Sequence, residues 1–318
     1  MPEGLRRLVA LLVAVVLVVA ALIWRNNRND DDKSAPTSTA SVPPTVICAT
    51  ELNSVCGAVF GEGKFKLEPA GTTAHNLETA PSPPDLWLTL DPWPTVVAER
   101  RSRANAGPFD VTTTPLASTR VALVGPADRL KVLSDHCATK LLACVGDLSG
   151  QKWSTIGGLE TWQLIRPAYF RPDESASGYS VFANAVVAEL LKTTFSNVDL
   201  DGIVAWGRSL EAGVPTIEPT DDPTPLEQLL LGVPRYDLIG VLDTEIPRPL
   251  KPGLDVVLIG AASAVVFAMT RPGYSLPARL PAELTKAGWT MPAETSTGLP
   301  DPNLADAVLA FWKDVKGP

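Results

Sequence analysis

Histidine is nearly missing: the 318-residue chain carries two, His75 and His136. That scarcity removes the usual general base from most sites and leaves no H-E-x-x-H metal motif. A G-x-S-x-G elbow and a G-x-x-x-x-G-K-[ST] phosphate loop are missing too. The chain is therefore expected to be no enzyme and to need neither cofactor nor metal. Positive charge is also short, 27 Lys and Arg against 35 Asp and Glu, a net −8. The basic residues gather only at Arg100-Arg101-Ser102-Arg103, too little to track a nucleic acid, so none is expected as partner. Cysteine is limited to four residues without a C-x-x-C spacing, which excludes a zinc knuckle.

What is present begins with an uncharged run, "LVALLVAVVLVVAALIW" at 8–24. Its length suits a membrane span, and the Trp24-Arg25 that ends it suits an interface better than a signal-peptidase site. Residues 1–25 are expected to form a retained single-pass anchor, with cleavage as the alternative. Residues 26–45, rich in Ser, Thr, Pro and Asp, cannot bury a core and read as a linker. The four cysteines lie as two local pairs, Cys48/Cys56 and Cys137/Cys144. Of the three possible pairings the local one is expected, against the alternative of four free thiols. Disulfides persist outside the cytosol, which places the bulk of the chain extracytoplasmically at the cell membrane.

Within 46–318, apolar β-branched runs alternate with helical patterns. Strands are expected at 45–50, 86–90, 119–125, 162–167, 236–242, 254–260 and 263–270, mostly as runs buried on both faces of a parallel sheet. Helices are expected at 95–106, at 224–232 behind a Thr224–Glu227 capping box, and at 301–317. In "RPDESASGYSVFANAVVAELL", positions Tyr179, Phe182, Ala183, Val186, Val187 and Leu190 share one helical face. Ser175, Ser177 and Gly178 then sit at a helix mouth, where free N–H groups and the dipole favour an anion. The plainer reading is that Ser177 caps the helix and nothing binds. Asp173 and Glu174 are internal candidates for the same position.

Four segments together resemble one family. "IRPAYFRPDESASGYSVFANAVV", "PDLWLTLDPWPTVVAER", "PLASTRVALVGPADR" and "YDLIGVLDTEIP" are similar to parts of the type 2 extracellular solute-binding proteins of ABC transporters, above all an actinobacterial sulfate/molybdate-like branch. The resemblance implies an α/β periplasmic-binding-protein fold behind the anchor. Its two lobes would be 46–118 with 250–318, and 119–249. It implies a small polar ligand, anionic in the sulfate-like branch, held between the lobes. Thr50, Glu51, Asn53, Ser54, Asp91 and Trp93 would face it from lobe one, and Ser175, Ser177 and Gly178 from lobe two. Asp91 has a second reading as a helix cap. The implied partner is a membrane permease. The alternative function is a sensing or scaffold ectodomain that meets another envelope protein through a degenerate cleft.

Overall fold

Two strands decide the architecture. The stretches "TTTPLASTRVALVGP" and "LDVVLIGAASAVVFAMT" are almost free of charge and rich in residues that accept extended backbone. They form strands of 15 and 17 residues, Thr112–Pro126 and Leu254–Thr270. At ~3.3 Å per residue each reaches about 50 Å. The computed structural model describes residues 45–138, 140–217, 223–233, 235–291 and 299–317. The expected anchor at 8–24 and nearly all of the 26–45 linker lie outside the described residues. No helix among the described residues is long and apolar enough to cross a membrane.

In chain order the strands are β1 (Val46–Cys48), β2 (Lys66–Leu67), β3 (Leu86–Leu90), β4 (Thr112–Pro126), β5 (Pro167–Ala168), β6 (Leu238–Leu242) and β7 (Leu254–Thr270). The described α-helices are α1 (Asn53–Phe60), α2 (Ala70–Glu78), α3 (Trp93–Arg103), α4 (Ala127–Cys137), α5 (Leu141–Leu148), α6 (Ala176–Leu190), α7 (Asn197–Gly202), α8 (Val204–Gly213), α9 (Pro225–Leu231), α10 (Leu280–Lys286) and α11 (Ala305–Lys316).

The strands join in the order β2-β1-β3-β7-β4-β6-β5. This is one hydrogen-bonded sheet with two wings. Wing one holds β1, β2 and β3, the last paired to the end of β7 at Val266–Thr270. Wing two holds β5 and β6, paired to β4 at Val121–Val124. The long β4/β7 ladder belongs to both. Its register jumps between Arg120↔Ser263 and Ala122↔Leu258, so β7 advances five residues where β4 advances two. Such an irregularity bends and twists a sheet locally. The lobe boundary expected at 118/119 therefore falls inside a continuous strand. The two strands expected at 254–260 and 263–270 are one, because Gly260-Ala-Ala-Ser supplies small residues and no turn. The all-parallel expectation is corrected as well: β1/β2, β1/β3 and β5/β6 are parallel, while β3/β7, β4/β7 and β4/β6 are antiparallel. The strand expected at 162–167 shrinks to Pro167–Ala168, with Trp162 in a 3-10 turn.

Both local disulfides form, Cys48–Cys56 and Cys137–Cys144. The capping box at Thr224 and Glu227 starts α9, with Pro225 in the first turn and Gly232 in the left-handed conformation behind it. A single main core runs through both wings, from Trp87 and Leu88 to Tyr179 and Phe182. A smaller one, with Val124, Phe170, Leu226 and Val241, covers the other face of wing two. Helix α11 packs on α8 and sets Phe311 against the Phe182 ring at 6.1 Å. Its Asp306 meets Arg100 of α3 at 3.1 Å, so the C-terminal helix touches elements of both wings.

Candidate ligand cleft

The mouth of α6 is formed as the sequence suggests, but shifted. Ser175 is the N-cap, with extended backbone and a side-chain oxygen that accepts from Gly178 N at 3.0 Å. Ser177 lies inside the first turn. The free donors of this turn are taken by an internal anion. Ser175 Oγ donates to Glu51 Oε1 at 2.8 Å, and Ser177 N donates to the same oxygen at 3.0 Å. Thr50 Oγ1 donates to Glu51 Oε2 at 3.2 Å. Glu51 follows β1 and α6 packs on β6, so the carboxylate reaches from one wing to the other.

Asp173 and Glu174 do not compete for this position. Asp173 accepts two bonds from Arg171, at 3.0 and 2.9 Å, and Glu174 accepts from Thr72 Oγ1 at 2.7 Å. The second contact also crosses the wings, beside a backbone bond from Gly71 N to Glu174 O at 2.9 Å. A Cβ on Gly71 would stand 1.9 Å from Asp173 O, so only glycine permits this approach. Gly178 has a similar role. A Cβ there would stand 2.2 Å from Phe170 O. The tight packing of the helix on the preceding segment by itself requires glycine here.

Beside this junction lies a cavity of about 520 Å³, within the range of small-molecule sites. Thr50, Glu51, Asn53 and Ser54 line it from beyond β1. From wing two come Phe170 after β5, Thr224, Leu226 and Glu227 at the start of α9, and Thr244, Glu245 and Pro247 after β6. The lining thus follows the C-terminal ends of β1, β5 and β6, where ligands enter open α/β sheets. Four of the expected site residues are at the cavity, all from wing one. Ser175, Ser177 and Gly178 are not among its lining. Ser175 and Ser177 hold Glu51, Ser177 Oγ also bonds Glu245, and Gly178 N bonds the Ser175 cap.

Asp91 and Trp93 are also placed elsewhere. Trp93 is fully buried, edge-on to the Tyr179 ring at 6.5 Å, and is a core residue. Asp91 does not cap α3, whose N-cap is Pro92. It is 6% exposed, and burial, followed by the charge of Asp301, pushes its carboxyl up to about 6. Among the described residues, the buried Trp93 Nε1–H, Tyr179 hydroxyl and Thr89 hydroxyl have no hydrogen-bond partner. This polar pocket of the core sits between β3, α3 and α6.

Glu245 was not anticipated. Its Oε2 accepts from Ser177 Oγ and from Leu242 N, the latter at 2.8 Å. Enclosure by protein, and then the nearby Glu51 carboxylate, push it up to about 7, against the two hydrogen bonds that favour the charged form. The signal for it was present: "VLDTEIP" places a carboxylate just past a strand end, the position that Glu51 occupies after β1. Among the described residues, no Lys, Arg or His lines the cavity.

No family model matches the chain, and no curated protein matches it. Solved structures do resemble it. Iron-bound HitA from Pseudomonas aeruginosa superposes with a TM-score of 0.51 at 15% identity, over 85% of this chain and 98% of that one. The periplasmic binding protein AfuA from Actinobacillus pleuropneumoniae, with exogenous fructose-6-phosphate bound, gives 0.50 at 12% identity, over 86% and 98%. At such identities the likeness is one of fold: a mixed α/β chain with a curled sheet, as in periplasmic binding proteins.

Proposed function

We propose that this chain is an extracytoplasmic solute-binding protein, tethered by residues 8–24, which takes a small polar ligand between its wings and hands it to a membrane permease. The observation that carries this reading is the cavity of about 520 Å³ lined from both wings beyond the ends of β1, β5 and β6. The fold supports it, since HitA is described with iron and AfuA with fructose-6-phosphate. Two disulfides support an oxidising compartment. The sulfate/molybdate-like resemblance supplies the layout of the cleft. Its oxyanions suit the lining poorly, because the helix mouth that would receive one already holds Glu51.

A second reading has its own observation. Glu51 to Ser175 and Ser177, and Thr72 to Glu174, latch the wings together through internal groups. A scaffold ectodomain with a degenerate cleft would use such a latch and bind no solute. A thermal-shift panel on the full-length protein separates the two. Oxyanions, sugars, amino acids, organic acids and amines are added at millimolar concentration. Capture predicts that one class raises Tm, since a ligand at a hundred times its Kd adds about 2.7 kcal/mol. A flat response across the panel favours the scaffold.

A further inference from the structure

We infer that the contact between the wings at the α6 mouth is a pH-sensitive latch, in which Glu51 of wing one and Glu245 of wing two meet at Ser177 and move apart when both are charged. Ser177 is the shared element. Its N–H donates to Glu51 Oε1 at 3.0 Å, and its Oγ donates to Glu245 Oε2. Ser175 Oγ holds the same Glu51 oxygen at 2.8 Å. Glu51 lies in the turn after β1 and Glu245 in the turn after β6, so a pair of carboxyl groups spans the junction. Beside the pair, Gly71 N donates to Glu174 O at 2.9 Å and Thr72 Oγ1 to Glu174 Oε2 at 2.7 Å. These bonds tie α2 to the segment ahead of α6 and open with the same junction. The latch is made within the chain and serves a solute carrier and a scaffold alike.

Two carboxyl groups enclosed together resist being charged together, because each loses water and meets the other. The surroundings do not cancel this. Neither α1 nor the first turn of α6 brings a charged residue. Glu227, at the start of α9, adds a further carboxyl to the cavity wall. Asp243 and Arg248 are paired with each other at 2.6 Å. Arg120, next to the Val121↔Leu242 pair of β4 and β6, is exposed to solvent. Glu245 shows the outcome: burial, and then the Glu51 charge, raise its carboxyl to about 7. Loosening moves Glu51 away and admits water to Glu245, which returns that carboxyl toward its ordinary range. The closed form therefore binds more protons than the loosened one between about 4.5 and 7. Closure is favoured in acid, and loosening grows as pH rises through that interval and levels off above it. The β4/β7 ladder supplies a place to bend where its register jumps, between Arg120↔Ser263 and Ala122↔Leu258. Trp93 and Tyr179 stay packed across the wings, so the movement is a loosening at the α6 mouth and not a full separation.

Hydrogen exchange of the full-length protein at pH 5 and pH 8 tests this, read by mass spectrometry with fragmentation to single amides and corrected for the intrinsic pH dependence of exchange. The Gly71 and Ser177 amides are themselves latch donors. Their protection should fall by at least about tenfold between the two pH values. The amides of β3 (Leu86–Leu90), in the core of wing one, should keep theirs. Glu245→Gln removes one of the two charges and should hold the pH 8 protection of both amides at the pH 5 level. Glu51→Gln keeps an acceptor for Ser177 N and should do the same, so it serves should Glu245→Gln fold poorly by circular dichroism. Glu51→Ala removes the latch and should leave Gly71 poorly protected at both pH values. Equal protection at both pH values in the parent overturns the inference. So does a fall that both Gln variants retain, or Gly71 protection that Glu51→Ala leaves unchanged. A parallel fall in β3 would be unfolding of the whole chain and overturns it as well.

Discussion

A carboxylate stands at each end of β6, and the two are held differently. Asp237, just before the strand, is fully buried and ringed by donors. Arg129 Nη1 bonds it, Arg166 offers its backbone N at 3.1 Å and Nη2 at 3.3 Å, and Trp153 Nε1 lies at 3.4 Å. Glu245, just beyond the strand, has two hydrogen bonds, a second carboxylate nearby and, among the described residues, no cation. One strand thus separates a carboxylate that is complete within the protein from one that is not. The position of Glu245 follows the rule for open α/β sheets, in which ligands enter beyond strand C-termini. Only the second carboxylate leaves a charge for something else to meet.

Breaking the complete end should have the largest effect. Asp237→Ala removes the shared partner of two arginines and leaves a cavity. Breaking a buried pair from one side costs about 3–5 kcal/mol. Arg166 is 38% exposed and can turn to water, which pulls the expected loss to the lower part of that range. Urea denaturation should show the midpoint falling with the slope unchanged. A loss under ~1 kcal/mol would mean that the ring of donors contributes little beyond its packing.

The incomplete end should respond in the opposite sense. A carboxyl raised from its usual value to about 7 on folding binds more protons in the native state. Stability is then highest in acid and falls as pH rises from about 4.5 to 7, and stays level above that. Asp91, raised to about 6, adds a fall of the same sign between about 4 and 6. Glu245→Gln removes its own share. The variant should match the parent near pH 4.5 and exceed it at pH 8, by up to ~3 kcal/mol if the whole shift is realised. Calorimetric Tm values across that range check it. A variant that is less stable than the parent at pH 8 would show that the Glu245 charge is already balanced.

Much of this was legible locally. Both disulfides, the capping box at Thr224, the α6 face and the strand at 86–90 depend on residues near one another, and the sequence patterns named them. Thr50, Glu51, Asn53 and Ser54 reached the cavity because a position after a strand end is also a local property. The expected site residues that lie away from the cavity depend on distant partners. Trp93 has the loop context of a stacking residue, but Tyr179 on α6 covers it. The α6 mouth has the composition of an anion site, and Glu51, from another part of the sheet, fills it. Two serines flank Ala176, so composition alone could not choose the N-cap. Glu245 stands out only when the lack of a cation around it is visible, and that is a tertiary fact.

The smallest effect comes from the pair of serines at the α6 mouth, and it sharpens the same contrast. Ser175 caps the helix and bonds Glu51, while Ser177 Oγ bonds Glu245. Ser175→Ala should therefore destabilise by about 1 kcal/mol, the usual loss of an N-cap. Ser177→Ala leaves the cap and the Ser177 N–H bond to Glu51 in place. It removes one donor from Glu245, whose charged form that donor stabilises, so its loss should depend on pH. Near pH 5, with Glu245 protonated, the variant should melt within a degree or so of the parent. Near pH 8.5, with Glu245 charged, it should lose about 1 kcal/mol, the low end for a hydrogen bond to a charged group. Its titration should also move upward from about 7, which carboxyl resonances followed by NMR would register. Equal losses at both pH values would return Ser177 to a plain packing role and sever the link between the helix mouth and the charge beside the cavity.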